Sequence, residues 1–434
     1  MIDVETVRRS SAARGEPDWL RALRLRALEA FHDLPVPPYG DPDLLGSIRY
    51  DAALGGEGNG DGDGGGARAP APPTAGAGGA LAGAGARAQY ESEVVYQGLR
   101  EEWASQGVVF LDTDEALRER PDLAREHLAS AVPPDENKFA ALNLAVFSGG
   151  SFIYVPPGVQ VRVPLQSFFK TAARDHGQFE RTVIVVGEGA SVHYVEGCTA
   201  PVRAVEPLHA SVVEIVVRPR GRCQYTTLQN WSKNVLNLVT KRALVHEDAT
   251  VRWVDANVGA RLTVKHPSAH LLGARARGEV YSIAFANRAQ HQDAGCEVVH
   301  AAPETSSAVV ARCIARSGGR STFRAFVRVR PEARGAKVRS RCDALLLDER
   351  AVCETVPYLD VRSGDAAVDH EAQAGRIADQ PVFYLGTRGI PEDEARVTIV
   401  NGFIQPVVRE LPMEYAVELT RLVQIEMDGA GCGR

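Results

Sequence analysis

Over residues 17–32, PDWLRALRLRALEAFH, the apolar side chains Trp19, Leu20, Leu23, Ala27 and Phe31 fall at three- and four-residue spacing. That period predicts an amphipathic helix, with Pro17 in its first turn and Pro35, Pro37 and Pro38 ending it. Residues 54–88 are Gly, Ala and Pro with almost no large apolar side chain. Such a stretch cannot bury enough surface to offset its ordering entropy, so it reads as a disordered linker. Helical spacing resumes over 90–106 through Tyr90, Val94, Tyr96, Leu99 and Trp103. VVFLD (108–112) predicts a short strand, and 113–130 a further helix capped by Thr113 or Asp114.

From about residue 150 the period falls to two. Apolar and polar positions alternate in runs broken by small turn residues: Gly158, Gly189, Gly221, Ala249, Gly278, Ser307, Gly335 and Gly364, at intervals of 28 to 32 residues. A repeat of that length, with strands and no intervening helix, predicts a solenoid, most simply a β-helix. A sandwich of irregular hairpins is the alternative; the even spacing and the scarcity of Asn-Gly and Asp-Gly turns favour the solenoid. After about 375 the helical period returns in PEDEARVTIVNGFIQPVVREL and PMEYAVELTRLVQIEMDG, the second carrying Met413, Val417, Leu419, Val423 and Ile425. Helices beside a solenoid commonly cap it or dock a partner. The expected order is an N-terminal helical segment (1–53), the linker (54–88), a helical region (89–135), a parallel β-helix core (136–374) and a C-terminal helical domain (375–434). The fold class is mainly β with helical flanks.

A chain of 434 residues exceeds one compact core. No apolar run reaches the length of a membrane-crossing helix, and the first residues lack the apolar centre of a signal peptide, so the cytoplasm is the expected compartment. The net charge of −6 is spread over both signs, with no basic stripe for nucleic acid. The seven cysteines (198, 223, 296, 313, 342, 353 and 432) contain no CxxC pair. That spacing argues against a disulfide framework and against a self-contained zinc site. No GxxxxGK[ST] is present, so ATP hydrolysis by this chain is not expected; GxSxG, HExxH and EF-hand patterns are also missing. Gln290-His291-Gln292-Asp293 reads as a solvated strand edge rather than a ligand group.

A β-helix turns sequence distance into contact, because residues one period apart sit about 4.8 Å apart. Cys342 follows Gly335 by seven residues and Glu371 follows Gly364 by seven, so the two are expected to stack on adjacent rungs. His370 then points to the opposite face if the strand is regular. Cysteine, histidine and glutamate suit iron or zinc, and two or three ligands leave an open site that another chain can complete. A cysteine that is simply a small buried apolar residue is the alternative. A second line runs through Lys170, Cys198 and Gln229 at intervals of 28 and 31, followed by Trp231 and Lys241. A lysine beside a cysteine lowers its pKa, which makes Cys198 a candidate to accept or relay a group. Mutual satisfaction of polar groups between rungs is the alternative.

NKFAALNLAVFSGGSFIYVPPGV, GQFERTVIV, VHYVEGCTAP, LQNWSKNVLNLVTKRA, QHQDAG, CDALLLD, HEA and RELPMEYA, with GEPDWLRALRLRALE near the start, together resemble the SufB/SufD family of the SUF iron–sulfur cluster assembly machinery, on its SufB side. The match covers nearly the whole chain except about 40–88. The resemblance implies a right-handed parallel β-helix that pairs with a SufD-like subunit or a second copy, C-terminal helices that dock a SufC-like ATPase, and sulfur supplied by a cysteine desulfurase system. It implies an assembly scaffold rather than an enzyme, carrying a transient 4Fe–4S or 2Fe–2S cluster, and leaves open a flavin (FAD) at the level of the complex. By the same resemblance Cys342 and Glu371 hold the cluster with His370 in support, and Cys198 receives sulfur. Gln229, Trp231 and Lys241 pass it inward, and Lys170 stands where the family usually has arginine. A structural subunit without its own cluster is the other reading within the family. Outside it stands a carbohydrate-acting β-helix enzyme, for which no rung-spaced set of Asp, Lys or Arg side chains is found.

Overall fold

The computed structural model describes residues 2–48, 50, 85–90, 93–99, 101–170, 177–199 and 207–428. From Ser151 the chain passes back and forth between two sheets whose neighbouring strands are parallel, which makes the core a flattened β-helix. One sheet, here the Cys198 sheet, contains Leu165–Lys170, Ser191–Thr199, Arg222–Asn230, Thr250–Val258, Arg277–Asn287, Ser306–Arg316, Lys337–Leu346 and Ala367–Arg376. The other, the Lys241 sheet, contains Ser151–Val155, Arg181–Val186, Leu208–Val217, Leu236–Val245, the pair Leu262–Lys265 and Ser268–Leu271, His291–His300, Arg320–Val329 and Val352–Val361. Inward positions such as Ile184, Val213, Ala243, Val251, Val280, Val298 and Phe323 form one buried core. β-Branched residues dominate because their stiff side chains suit a pleated surface buried on both sides.

The turns are marked by conformation more than by residue type. Gly158, Gly189, Arg220, Asp248, Arg275, Glu304 and Gly335 all adopt left-handed φ, between 55° and 77°. Four of these are not glycine, although the left-handed region costs an L-residue about 1–2 kcal/mol. Gly278 and Ser307, read from the sequence as turn residues, lie inside strands. After Gly335 the corresponding position is Asp365, not Gly364: Lys337 pairs with Ala367, each two residues past its turn.

The helix over 17–32 is present as Asp18–Asp33, with Leu20, Leu23, Ala27 and Phe31 buried. It packs on a second helix, Lys138–Val146, whose end it holds: Arg24 is 1% exposed and donates to the carbonyls of Ala145 (3.3 Å) and Phe147 (3.0 Å). Both helices cover the outer face of the Lys241 sheet through Val183, Val185, Ala210, Leu236 and Leu238. Asp293 ties the following segment down. It accepts from the Gly40 amide (2.7 Å) and Arg324 Nε (2.8 Å). Gln292 and Asp293 are fully buried, so the Gln290–Asp293 stretch is not a solvated edge.

Four local expectations need correction. Residues 90–106 do not form a helix: Glu93–Leu99 is a strand, followed by a short helix, Glu101–Ala104. Residues 54–84 of the expected linker lie outside the described residues, and 85–88 belong to a strand, Gly85–Tyr90, that runs parallel to Leu165–Lys170. The helix over 113–130 is two helices, Thr113–Glu119 and Pro121–His127, because proline has no amide to continue the first. Its cap is Asp112, which forms a capping box with Glu115.

The C-terminal helices Glu392–Val408 and Met413–Asp428 bury Val400, Ile404, Leu419 and Val423 against Val254, Ala256, Phe285 and Ile314 on the outer face of the Cys198 sheet. They lie along the flank of the solenoid and leave its last turn uncovered. Lumen-side Leu359 (43%) and Val361 (41%) are exposed, and Val352–Val361 and Ala367–Arg376 are the terminal strands of their sheets. Among the described residues no helix is long and apolar enough to cross a membrane.

Candidate functional site

The lumen has two polar compartments within its apolar core. The first surrounds Cys198. The register sets Cys198 opposite Gln229 and Gln229 opposite Asn257. Lys170 pairs with Thr199, one position beyond Cys198, so the expected alignment of Lys170 with Cys198 is off by one. Trp231 sits beside Cys198 in a small buried cluster with Phe169, Val235 and Ala260, its ring 4.6 Å from that of His209.

Gln229 Oε1 accepts from Asn237 Nδ2 (2.8 Å) and Lys265 Nζ (3.4 Å). Asp255 Oδ1 takes both Lys241 Nζ (3.2 Å) and Lys265 Nζ (3.1 Å), and the Lys241 ammonium also lies 4.3 Å above the Tyr225 ring. Lys241, Lys265, Asp255 and Gln229 are each 1% exposed. Burial pushes Lys265 down to about 8. Burial opposes ionisation of Asp255 as well, but the two ammoniums outweigh it and hold its pKa below the ordinary value. The sequence line of Cys198, Gln229, Trp231 and Lys241 is thus one connected site. Asp255 and Lys265, which join it, carry no motif; the signal available was charge at an inward position of the alternation.

The Cys198 thiol donates to Glu196 Oε1 at 3.6 Å. Burial, and then the Glu196 carboxyl, raise the Cys198 pKa well above that of a free cysteine. This overturns the expectation of a lysine-activated thiolate: Lys241 gives its charge to Asp255, and desolvation wins. Trp231 Nε1, Thr227 Oγ1, Asp255 Oδ2 and Asn257 Oδ1 are buried here without a hydrogen-bond partner. Buried polar atoms left without a partner cost free energy, so each is a ready contact for a polar guest.

The second compartment lies at the uncovered end. Cys342 pairs with Ala372, Arg341 with Glu371 and Ser340 with His370. The expected stacking of Cys342 on Glu371 is therefore wrong by one residue, for the reason seen in the turn: Asp365, not Gly364, corresponds to Gly335. Cys342 faces the lumen, fully buried. Glu371 faces outward, 3.8 Å from Arg341 and accepting from Gln373 Nε2 (2.9 Å). The strand is regular, so His370 shares the lumen side with Cys342. Both of its ring nitrogens, and Ser340 Oγ, are buried without a partner.

Cys342 Sγ lies 3.4 Å from Thr355 Oγ1, and Cys313 is its inward neighbour on the adjacent strand. The neighbouring Cys313 thiol, with help from Thr355, lowers the Cys342 pKa, while closeness to Cys342 and burial raise that of Cys313 well above its ordinary value. Arg312 bonds Asp343, next to Cys342, at 2.7 Å, and donates to the Phe403 carbonyl of the C-terminal helix at 3.1 Å. Among the described residues no three His, Cys, Asp or Glu side chains converge closely enough to hold a metal ion. The six described cysteines are free thiols.

Residues 168–403 match the family described as "SUF system FeS cluster assembly, SufBD core domain", and residues 90–167 match "SufBD protein N-terminal region". The chain is 46% identical to the iron–sulfur cluster assembly protein SufB of Bacillus subtilis over 98% of its own length and 93% of the relative's. It is 45% identical to an iron–sulfur cluster assembly SufBD family protein of Staphylococcus haemolyticus (98% and 92% covered). A Staphylococcus aureus member of the same family is 44% identical over the same shares.

Proposed function

The chain belongs to the SufBD family of iron–sulfur cluster assembly proteins, and from that premise we propose that it is the scaffold subunit on which a nascent cluster is built from iron and persulfide sulfur and then released. The observation that carries this reading is Cys342: a lumen thiol of lowered pKa, beside His370 and its two unpartnered nitrogens, at the uncovered end of the solenoid. Thiolate and imidazole are iron donors, and a site short of ligands suits cargo that must leave. The cluster, 4Fe–4S or 2Fe–2S, is cargo rather than a resident group, and the chain is not itself a catalyst.

Sulfur from a cysteine desulfurase system would enter at Cys198 and move past Gln229, Trp231 and Lys241. A SufD-like chain or a second copy would close the open end and complete the ligand set. Exposed Met413 (76%) and Val417 (65%) on the last helix suit a SufC-like ATPase. Because Cys342 is fully buried, loading needs a rearrangement. Arg312, bonded to that helical layer and to the neighbour of Cys342, is the contact through which motion of the ATPase would reach the site. Glu371 would join the cluster only after such a change, since it now faces outward.

A second reading is a structural subunit without its own cluster, since among the described residues Cys342 and His370 have no third donor beside them. One experiment decides. Anaerobic reconstitution of the complex with iron and sulfide is expected to give strong cluster absorption for the wild type and little for Cys342→Ala. Equal absorption in both would refute the assignment at Cys342, and absorption in neither would favour the structural reading.

A further inference from the structure

Cys198 and Cys313 lie on one inward row of the same sheet. Cys198 is opposite Gln229, Gln229 opposite Asn257, Asn257 opposite Ala284 and Ala284 opposite Cys313. The row two residues earlier runs through Glu196, Thr227, Asp255, Ser282 and Ala311 and arrives at Cys342. Cys342 is therefore one rung beyond Cys313 and one row across. Between the Asp255–Asn257 rung and the Cys313 rung, these two rows hold only Ser282 and Ala284, so this sheet sets no bulky side chain in the way.

Two further observations mark the Cys313–Cys342 pair as more than core filling. Cys313 and Cys342 are inward neighbours on adjacent strands, Cys313 opposite Ala344 and Cys342 opposite Ala311, and both belong to one buried cluster. Ser340, 3% exposed and two residues from Cys342 on the same face, has a hydroxyl without a partner, and so do both nitrogens of His370. Unpartnered polar atoms thus stand on the Cys342 strand and on the strand after it, on the same face as the pair. Cys223 is also a lumen thiol, but it lies two rungs before the Asp255 strand's next neighbour and on a different row, among apolar core residues.

We propose that Cys313 is the relay thiol that hands sulfane sulfur to Cys342. The proposal rests on the reading of Cys342 as the residue where the cluster is built. Cys313 carries the sulfur as a persulfide. The Cys342 thiolate attacks the outer sulfur; the bond from that sulfur to Cys342 forms as its bond to the Cys313 sulfur breaks. Cys313 departs as a thiolate, and the persulfide proton stays on the transferred sulfur until Cys313 recovers it. The exchange is redox-neutral and needs no oxidant.

The test uses the complex with its partner subunits, fed anaerobically by a cysteine desulfurase and cysteine. Persulfides are trapped with iodoacetamide and located by peptide mass spectrometry. Cys313→Ser, which keeps the side-chain size, is expected to leave Cys198 labelled and to lower label on Cys342 by about tenfold or more. Cys223→Ser and Cys353→Ser are expected to leave Cys342 label at the wild-type level. Cys342→Ser is expected to trap persulfide on Cys313, a readout that leaves Cys313 itself untouched should its own variant fold poorly. Wild-type label on Cys342 in Cys313→Ser, or no persulfide on Cys313 in Cys342→Ser, would overturn the relay. The two readings separate cleanly: normal cluster formation by Cys342→Ala removes the scaffold site, whereas its loss together with normal Cys342 labelling in Cys313→Ser removes the relay alone.

Discussion

His193, His270 and His300 are each pushed by burial from an ordinary 6.5 to about 4. His300 is the clearest: it is fully buried, with Thr305 Oγ1 and Ser307 Oγ each 2.9 Å from its two nitrogens. The folded pKa lies below the unfolded one, so above 6.5 neither state binds a proton. Between 6.5 and about 4 the unfolded chain takes up protons that the folded chain refuses, and stability falls as pH falls. Each such histidine adds about 1.4 kcal/mol per pH unit to that slope. Urea midpoints measured from pH 7 to 5 should drop steadily, and His300→Gln should flatten the slope by one histidine's share. Unchanged slopes in wild type and variant would contradict this account. At the same scale, the candidate site was legible in part. Cys198 and Gln229 pair as their spacing implied. Cys342 and Glu371 do not, because the register matches Gly335 to Asp365, one residue beyond the glycine that the spacing follows. Cys313, Asp255 and Lys265 went unnoticed, since nothing local distinguishes an inward polar residue from an outward one.

Elements were legible where one face is wet. Asp18–Asp33 and the two C-terminal helices each bury a single stripe, and the helical period shows. Every residue of Lys138–Val146 except Lys138 is buried, so that helix has no contrast for a period to report. Val94 and Tyr96 fit a strand as well as a helix, and pairing with Gly85–Tyr90 decided for the strand. Glycines in turns also differ in kind. Gly335 has φ of 66° and open space around it, with nothing nearer than 3.9 Å to an added Cβ. Gly335→Ala should cost about 1–2 kcal/mol, the conformational term alone. Gly259 has φ of 84°, and an added Cβ would fall 1.8 Å from the Trp231 carbonyl oxygen. Gly259→Ala should cost well over twice as much and disturb the Cys198 compartment through Trp231. Denaturant titration of the two variants checks the order, and equal costs would show that the Trp231 backbone yields freely.

As a whole the molecule is a stack with one end bare. The helical layers cover the outer faces of both sheets, while the final turn exposes Val356, Tyr358, Leu359 and Val361 beside two unpaired strand edges. Edges of this kind pair with other chains unless they are covered. Leu359→Asp should weaken association with a second β-helix chain by about tenfold or more, measured by sedimentation of the mixed subunits. An unchanged association constant would place the interface elsewhere. The repeat itself was plain in the alternation, because its period is a property of many strands at once; its phase was not, because phase is set turn by turn. Every interior strand is held by a neighbour on each side, so its parity, which residues look in and which look out, is enforced twice. The strand Ala367–Arg376 has a neighbour on one side only. There, a single residue of slip is the whole difference between a lumen lined by the imidazole of His370 and one lined by the carboxylate of Glu371.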